Sequence, residues 1–329
     1  MAKTTPYRPP FTVTPKAMVA SADIMRLVGR YEGLTSPRPE PKLRRQNQIR
    51  TILSSLAIEG NTLGIEQATA ILEKKTVIGP KREILEVENA ILAYGKASDF
   101  DPTKSKDLLR AHGLMMKGLA EDAGKYRAGG VGIFKGAELA HMAPPAKQVP
   151  LLVDQVLHFL KTDRETYPLI QSAVVHYELE FIHPFSDGNG RLGRLWQHIV
   201  LLRIHPLFEY VPVESVIHER QDEYYRVLRE CDKRGDSSLF IEFALSAVHS
   251  SLESFLSELR PERQTAESRL AVAREEFKGR QFSRKDYLAL LKVVSTATAS
   301  RDLRDGVEQG LLVKEGTKAV ARYRFRGGR

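Results

Sequence analysis

The chain has very little cysteine and no long apolar run, and both absences narrow its class. Cys231 is the single cysteine among 329 residues, so no disulfide can form within the chain, which fits a reducing compartment. No apolar stretch approaches the length that crosses a bilayer, and the first residues, Met-Ala-Lys-Thr-Thr-Pro, lack the apolar core of a signal peptide. We therefore expect a cytoplasmic protein that makes no membrane contact.

Charge is ordinary in amount but uneven along the chain, and the formal net charge is +9. Residues 264–329 hold 15 lysines and arginines against 8 acidic residues, a net charge of +7, which leaves +2 for the preceding 263 residues. Binding of a polyanion is therefore expected first in the C-terminal segment, although a solvated basic surface explains the same excess equally well.

Proline, glycine and apolar spacing predict a mainly α protein in three parts. These are an N-terminal arm and helical region (residues 1–100), a central core (101–262) and a separate C-terminal domain (263–329). Prolines make residues 1–20 an expected extended arm, and the glycine-rich residues 126–145 an expected β-hairpin. Helices are predicted at 21–32, 43–59, 64–75, 82–97, 104–119, 149–161, 168–181, 190–203, 219–232 and 237–259.

The most informative part of the chain is residues 183–194, His-Pro-Phe-Ser-Asp-Gly-Asn-Gly-Arg-Leu-Gly-Arg, here called the signature segment. Gly188 and Gly190 allow the backbone N–H groups to turn inward around an anion. A helix that begins near Gly190 adds the positive end of its dipole to the same point. Arg191 and Arg194 lie three residues apart on its first turn, where their forked donors can hold phosphate oxygens.

A carboxylate and an imidazole complete this set. Asp187 is a hard oxygen ligand suited to Mg²⁺ that bridges the phosphates of a nucleotide. His183, at the end of the preceding helix, can take a proton from an incoming hydroxyl near neutral pH. The whole segment therefore predicts a catalytic site that handles phosphate.

Two other interpretations of these residues are disfavoured. Gly188, Gly190 and Gly193 satisfy the G-x-G-x-x-G dinucleotide fingerprint, but that motif needs a buried strand before it, and residues 168–181 begin with proline and are too long for a typical strand. Residues 174–181 alone could still be a strand. A zinc site is the other interpretation, and its candidate ligands fit no familiar spacing: His176, His183, and Glu178 or Glu180.

The signature segment resembles that of the Fic family, H-x-F-x-[D/E]-G-N-G-R-x-x-R, and meets every fixed position. The resemblance implies a Fic-type helical bundle, with residues 101–262 as its catalytic core. It also implies transfer of a nucleotidyl group, usually AMP from ATP, onto a Ser, Thr or Tyr hydroxyl of a protein with release of pyrophosphate. Gly190 argues against the Doc-like kinase branch, which has a lysine near this position. Phe185 would be the buried wedge that anchors the loop.

The resemblance also assigns roles. It makes His183 the general base and Asp187 the Mg²⁺ ligand. Asn189, with the inward backbone amides, would hold the α- and β-phosphates, and Arg191 and Arg194 would clamp the outer phosphates.

Two further regions fit the same family. Residues 126–145 resemble the flap over the target peptide, where backbone pairing would align the acceptor hydroxyl. Tyr224 and Tyr225 resemble the segment that lines the adenine pocket, but two tyrosines that pack a helix into the core explain the pattern equally well.

An inhibitory motif is the third family feature. The residues from Ser55 to Gly60, Ser-Leu-Ala-Ile-Glu-Gly, resemble [S/T]-x-x-x-E-[G/N]. Ser55 and Glu59 would lie one turn apart on the same helical face. In this family the glutamate pairs with the second arginine of the signature, here Arg194, which would remove the cation that the γ-phosphate needs and hold ATP in an unproductive pose.

The basic C-terminal segment resembles a winged helix-turn-helix, with helices over 282–292 and 296–309 and a two-stranded ribbon over 311–325 that turns at 315–317. DNA binding through residues 282–326 is one hypothesis, and dimerisation or target docking is the other. Acidic residues on the second helix oppose phosphate contact and make DNA binding the less favoured: Asp302, Asp305 and Glu308. Basic residues that would face DNA are Arg301, Arg304, Arg322, Arg324 and Arg326.

The sequence as a whole favours an autoinhibited protein adenylyltransferase that uses ATP and Mg²⁺. Its target is a protein with an acceptor hydroxyl, and the chain itself is one candidate. Homodimerisation stays open. The rival hypothesis is a DNA-binding regulator whose core senses nucleotide with little turnover.

Overall fold

The computed structural model describes residues 7–33, 39–130, 132–135, 138–259, 265–291, 294–316 and 321–326. The chain forms two compact units, residues 1–259 and 260–329. No boundary between compact units falls near residue 100, so the division of residues 1–262 into two parts stays a prediction about function. Three sequence features lie wholly or partly outside the described residues: the linker at 36–41, the boundary at Pro261 and the ribbon turn at 315–317.

Among the described residues, α-helices dominate and the prediction of a mainly α protein is confirmed. The first unit contains eleven of them and one antiparallel hairpin of strands β1 (Gly132–Lys135) and β2 (Glu138–Met142), so the hairpin predicted over 126–145 is also confirmed. The helices are α1 (Pro15–Glu32), α2 (Pro41–Ala57), α3 (Ile65–Leu72), α4 (Lys81–Tyr94), α5 (Ser105–Met115), α6 (Val149–Thr162), α7 (Pro168–Ile182), α8 (Asn189–Ile204), α9 (Val213–Glu219), α10 (Gln221–Arg234) and α11 (Ser238–Leu259).

Helix α7 lies at the centre of the first unit because its sequence is apolar on every side. Twelve of its fifteen residues are buried. One side, with Ala173 and Val174, packs into a core shared with α1 and α9–α11, and the other, with Val175 and Leu179, packs into a core shared with α2, α4–α6 and α8. Because α7 is packed on both sides, its C-terminal end is held in a fixed position, and His183 follows directly after that end.

The helical state of residues 168–182 also decides between the interpretations of the glycines. The dinucleotide fingerprint requires a strand directly before it, and α7 occupies that place. The rejection of that fingerprint is therefore confirmed.

Several predicted helix boundaries are wrong: α3, α4 and α5 end at Leu72, Tyr94 and Met115, before the predicted residues 75, 97 and 119. Two further differences have clear physical reasons. Helix α1 begins at Pro15 rather than at residue 21, because proline is favourable at the first position of a helix and the Thr14 side chain accepts a hydrogen bond from Ala17 N. Helix α2 ends at Ala57, and Glu59 lies beyond it in a turn closed by Gly60, whose φ is +93°. Residue 59 is therefore not on the helical face of Ser55.

Helix α11 qualifies the expectation that no stretch could span a membrane. By length and composition, its 22 residues are enough to cross a bilayer, but 61% of its most apolar window is buried inside the first unit. The central helix of a protein core gives the same signal, so the finding is weak evidence for a membrane span.

The second unit is small and has its own core. It contains α12 (Ala266–Phe277), α13 (Arg284–Leu290), α14 (Thr296–Glu308) and an antiparallel hairpin of β3 (Leu312–Glu315) and β4 (Arg322–Phe325). Phe282, Tyr287 and Leu303 are buried between these elements. The two helices and the ribbon lie at the predicted positions within two residues, and their interpretation as a winged helix stays a prediction.

One acidic residue of this unit does not play the surface role expected of it. Asp302 is 1% exposed and accepts hydrogen bonds from Arg269 Nε and Nη2, both at 2.6 Å, and from the Tyr287 hydroxyl at 3.2 Å. Its charge is therefore paired inside the unit, and it does not oppose a phosphate at the surface of α14.

Candidate active site

His183 follows α7 in a left-handed conformation, φ 50° and ψ 61°, which costs a residue with a side chain about 1 kcal/mol. Its N–H donates to Leu179 O at 3.1 Å, which closes the helix. Its Nδ1 lies 3.4 Å from Glu180 O. That contact favours the tautomer with the proton on Nδ1, so Nε2 is the basic nitrogen.

Phe185 anchors the loop as predicted. Its ring is fully buried and stacks on the His112 ring with centroids 3.6 Å apart. The Asn189 side chain binds both backbone groups of Phe185: Oδ1 accepts from its N–H and Nδ2 donates to its carbonyl, each at 2.9 Å. The Asn189 side chain thus holds the loop. Its backbone N–H is the group that would make the predicted contact with phosphate.

His112 fixes the turn at Asp187. Its Nδ1 accepts a hydrogen bond from Gly124 N at 2.9 Å, so Nε2 carries the proton and donates to Asp187 O at 3.0 Å. Burial lowers the pKa of His112 although Asp187 acts in the opposite direction, which agrees with a neutral ring. The next residue, Gly188, has φ +84°, and a Cβ there would lie 2.6 Å from Met116 Sδ. Only glycine fits this turn.

The residues predicted to bind an anion lie at the start of α8. That helix begins at Asn189, directly after Gly188, so its first-turn N–H groups and its positive dipole end face the turn. Within the described part of the chain, Arg191 Nε and Arg194 Nη1 are buried and have no hydrogen-bond partner. Phosphate oxygens are acceptors that would satisfy such donors.

Asp187 is accessible and is held by two arginines. Its Oδ1 lies 3.0 Å from Arg191 Nη2 and its Oδ2 lies 3.3 Å from Arg82 Nη2, while its side chain is 46% exposed. Arg191 also pairs with Glu86 on α4 at 3.4 Å. Among the described residues, no group of three or more His, Cys, Asp or Glu side chains is arranged to hold a metal ion. An Mg²⁺ ion on Asp187 would therefore take its other ligands from phosphates and water, as Mg²⁺ does in nucleotide sites.

Arg194 is bound to both predicted residues of the inhibitory motif. Its Nη2 donates to Glu59 Oε1 at 2.7 Å and to Ser55 O at 2.9 Å, and its Nε donates to Ser55 Oγ at 3.1 Å. The Arg194 side chain is 1% exposed and that of Glu59 is 35% exposed. Burial alone would lower the pKa of Arg194, but Glu59, Tyr224 and Glu180 together outweigh it and raise the pKa above its ordinary value.

Tyr224 and Tyr225 differ in their surroundings. Tyr224 is 1% exposed, and its hydroxyl lies 3.2 Å from His176 Nε2 and 3.3 Å from Glu180 Oε1, which favours the packing interpretation. Tyr225 is half-buried, and its hydroxyl donates to Ile58 O at 3.3 Å. It therefore lies beside the inhibitory motif, and its predicted contact with adenine stays a prediction.

Sequence reasoning missed four residues of this site: Arg82, Glu86, His112 and Arg127. Their contacts with the signature segment join residues 56 to 105 positions apart, for example Arg127 with His183 and Arg82 with Asp187. A local pattern carries no signal for contacts across such separations.

Comparison with known proteins identifies the signature region. Residues 102–201 match the model of the Fic/DOC family. Two relatives named "Protein adenylyltransferase Fic" are similar over about two thirds of this chain: one from Drosophila grimshawi, 27% identical over 225 residues, and one from Nematostella vectensis, 29% identical over 222 residues. The matches cover 65% and 63% of this chain but only 44% and 48% of those proteins, so the chain spans about half the length of the curated relatives it matches.

One solved structure extends the match to nearly the whole chain. A Fic family protein from Desulfovibrio desulfuricans G20 is 41% identical, with a TM-score of 0.74, over 98% of this chain and 99% of that one. The fragment of Fic-1 from C. elegans that spans its residues 134–508 is 23% identical with a TM-score of 0.60, and shares the fold. The chain belongs to the Fic family.

Proposed function

We propose that this protein transfers AMP from ATP to a Ser, Thr or Tyr hydroxyl of a protein, with Mg²⁺ as its metal. The observation that carries the proposal is the convergence of the His183 imidazole, the anion site at the start of α8 and the Asp187 carboxylate on one short loop. The names of the curated relatives support the same activity.

The described donors and acceptors fit a metal-bound triphosphate. The first-turn N–H groups of α8 and the buried, unpartnered nitrogens of Arg191 and Arg194 suit phosphate oxygens, and the exposed Asp187 carboxylate suits a hard cation. When bound, Mg²⁺ would neutralise charge on the phosphates and on the leaving pyrophosphate. Arg191 and Arg194 would add fixed positive charge at the same end.

His183 would act on the acceptor hydroxyl. The hydroxyl oxygen attacks the α-phosphorus, an O–P bond forms, and the bond from this phosphorus to the oxygen that bridges to the β-phosphorus breaks. Pyrophosphate leaves with that electron pair, and the hydroxyl proton passes to His183 Nε2. The hydrogen bonds of Phe185, Asn189 and His112 keep this loop rigid, so the imidazole needs little reorganisation before the step.

The inhibitory motif would hold this activity back. The pair between Arg194 and Glu59 occupies a cation that the γ-phosphate needs, and a carboxylate at this place repels a triphosphate. ATP could then bind productively only after Glu59 moves away. Its side chain is one-third exposed and lies beyond the end of α2, so it can move without breaking the helix.

The hairpin of β1 and β2 would hold the target. An extended segment of the target protein can add to the edge of a two-stranded sheet by backbone hydrogen bonds, which brings its hydroxyl toward the loop regardless of the neighbouring side chains. Autotransfer needs the same geometry within or between copies of the chain.

DNA binding by the second unit remains the less favoured proposal. Arg304 lies 3.5 Å from Asp305 and 3.7 Å from Glu308, and Arg322 lies 3.8 Å from Asp286. These arginines are exposed, so such pairs are weak, but they reduce the free positive charge available to a phosphate backbone.

The test is a mass spectrum of the intact protein after incubation with ATP and Mg²⁺. We expect a gain of one AMP on the chain in the Glu59→Gly variant, and no gain when His183→Ala is added to that variant. Nucleotide binding without any transfer in the Glu59→Gly variant, to itself or to proteins of a cell extract, would instead support the regulator.

A further inference from the structure

Arg127 is a buried arginine that no feature of the signature explains. Only 4% of its surface is exposed. Its guanidinium donates to four backbone carbonyls: Nε to His183 O at 2.7 Å, Nη1 to Gly129 O at 2.8 Å, and Nη2 to Pro144 O at 2.5 Å and Ile182 O at 3.3 Å. A single side chain thus joins three separate parts of the chain.

Two of these carbonyls belong to the end of α7. The last carbonyls of a helix have no partner within it and carry its negative dipole end, where a cation is favourable. Arg127 satisfies those of Ile182 and His183, and its own N–H donates to Pro184 O at 3.0 Å. These bonds hold the residue that carries the proposed base in its left-handed conformation.

The other two carbonyls flank the hairpin. Gly129 lies three residues before β1, and Pro144 lies two residues after β2. The guanidinium is planar and its donors diverge at fixed angles. The bond from Nη1 to Gly129 O and the bond from Nη2 to Pro144 O therefore set the separation of the two ends of the hairpin. The same group therefore fixes the hairpin relative to the imidazole.

We propose that Arg127 is a positioning residue that sets the distance between the target segment on the hairpin and the imidazole of His183. Its effect on catalysis rests on the proposed AMP transfer, because only there do the hairpin and the base act on one hydroxyl. A displacement of about 1 Å between reacting groups costs on the order of a hundredfold in rate. Binding of ATP depends on the start of α8, which Arg127 does not contact in the described structure.

Lysine is the informative substitution. Arg127→Lys keeps the positive charge at the end of α7, but one ammonium with three donors cannot reach carbonyls on both sides as the guanidinium does. Arg127→Gln is the second variant, since it removes the charge and keeps a side chain that can donate. Arg203→Lys is the matched control, because Arg203 Nη2 also donates to a backbone carbonyl, Phe100 O at 3.0 Å.

The experiment places each substitution in the Glu59→Gly variant and measures three quantities: the Kd for ATP with Mg²⁺, kcat for AMP transfer, and amide hydrogen exchange. We expect Arg127→Lys and Arg127→Gln to lower kcat by about tenfold or more, and to change the Kd for ATP by no more than about threefold. Amide exchange should rise together in residues 126–146 and 179–188. The Arg203→Lys control should change none of these.

Two results would overturn the proposal. One is unchanged kcat and exchange in both Arg127 variants, and the other is an equal loss of ATP binding and transfer, which indicates a general loss of structure. Absence of transfer in the parent Glu59→Gly protein would instead contradict the proposed function. The exchange measurement would still decide whether Arg127 links the hairpin to the end of α7.

Discussion

Release of Arg194 from Glu59 is the perturbation that most directly probes the proposed inhibition. Arg194 is fully buried and donates to one carboxylate among the described residues, that of Glu59, at 2.7 Å. Loss of one partner of a buried ion pair costs about 3–5 kcal/mol. Because Glu59 is 35% exposed, water screens the pair, and its contribution is reduced to about 1–3 kcal/mol.

This range sets the expected gain in activity. About 1.4 kcal/mol corresponds to a tenfold change in a two-state equilibrium. The pair therefore limits the productive arrangement, in which Glu59 has left Arg194, to roughly one molecule in 5 to one in 150. We therefore expect Glu59→Gly to raise the rate of AMP transfer by about 5- to 150-fold. Ser55 would still accept hydrogen bonds from Arg194 through its hydroxyl and carbonyl oxygens, because these contacts do not involve Glu59.

The assay is the initial rate of label transfer from ATP labelled at the α-phosphate, for the wild type and three variants. Glu59→Gln keeps the size of the side chain and removes its charge, so it should give most of the gain. Glu66→Gly, an exposed carboxylate in the first turn of α3, is the matched control and should give none. Equal rates in the wild type and both Glu59 variants, or an equal gain in Glu66→Gly, would refute the reasoning.

Three further predictions follow from single contacts. Asp187→Asn should weaken binding of ATP with Mg²⁺ by about tenfold or more and leave binding of metal-free ATP nearly unchanged, because only the metal needs the carboxylate. Isothermal titration with and without Mg²⁺ measures both affinities, and an equal loss in the two would contradict this prediction. Gly193→Ala should lower the free energy of unfolding, measured by urea denaturation, by about 1–2 kcal/mol. A Cβ there would lie 2.9 Å from Glu180 Oε1, and this clash exceeds the usual gain in stability from alanine in a helix. A stabilised variant would contradict this prediction. Burial raises the pKa of Glu214 from 4.5 to about 7, so this group binds its proton more tightly in the folded state than in the unfolded one. Its contribution to stability, about 3 kcal/mol, should be present below pH 4.5 and be lost as the pH rises to about 7. Glu214→Gln should flatten that part of the dependence of unfolding on pH, and an unchanged slope would count against the assignment.

Local patterns in the sequence predicted the parts of the site that depend on neighbouring residues. The signature segment places His183, Asp187 and the start of α8 within twelve residues, so their chemistry can be read without knowledge of the fold. Helices α7 and α8 follow from apolar content and length alone. The pair between Glu59 and Arg194 came from the resemblance to the family, and the structure contains the contact.

Other features depend on packing that the sequence does not display. Glu59 was expected on a helical face, but the left-handed Gly60 ends α2 early and brings the carboxylate to Arg194 from a turn. His112 and Arg127 act through backbone carbonyls, which any residue supplies, so no residue type in the signature segment indicates their partners. Asp302 was expected at the surface, but it is buried in the second unit and pairs there with Arg269.

Parallel reactions with ATP labelled at the α-phosphate or at the γ-phosphate test the central proposal most directly. In the Glu59→Gly protein we predict transfer of the α-label to protein, no transfer of the γ-label, and loss of the α-label transfer when His183→Ala is added. Transfer of the γ-label, or α-label transfer that persists without the imidazole, would contradict the assignment of His183 as the base of an AMP transfer.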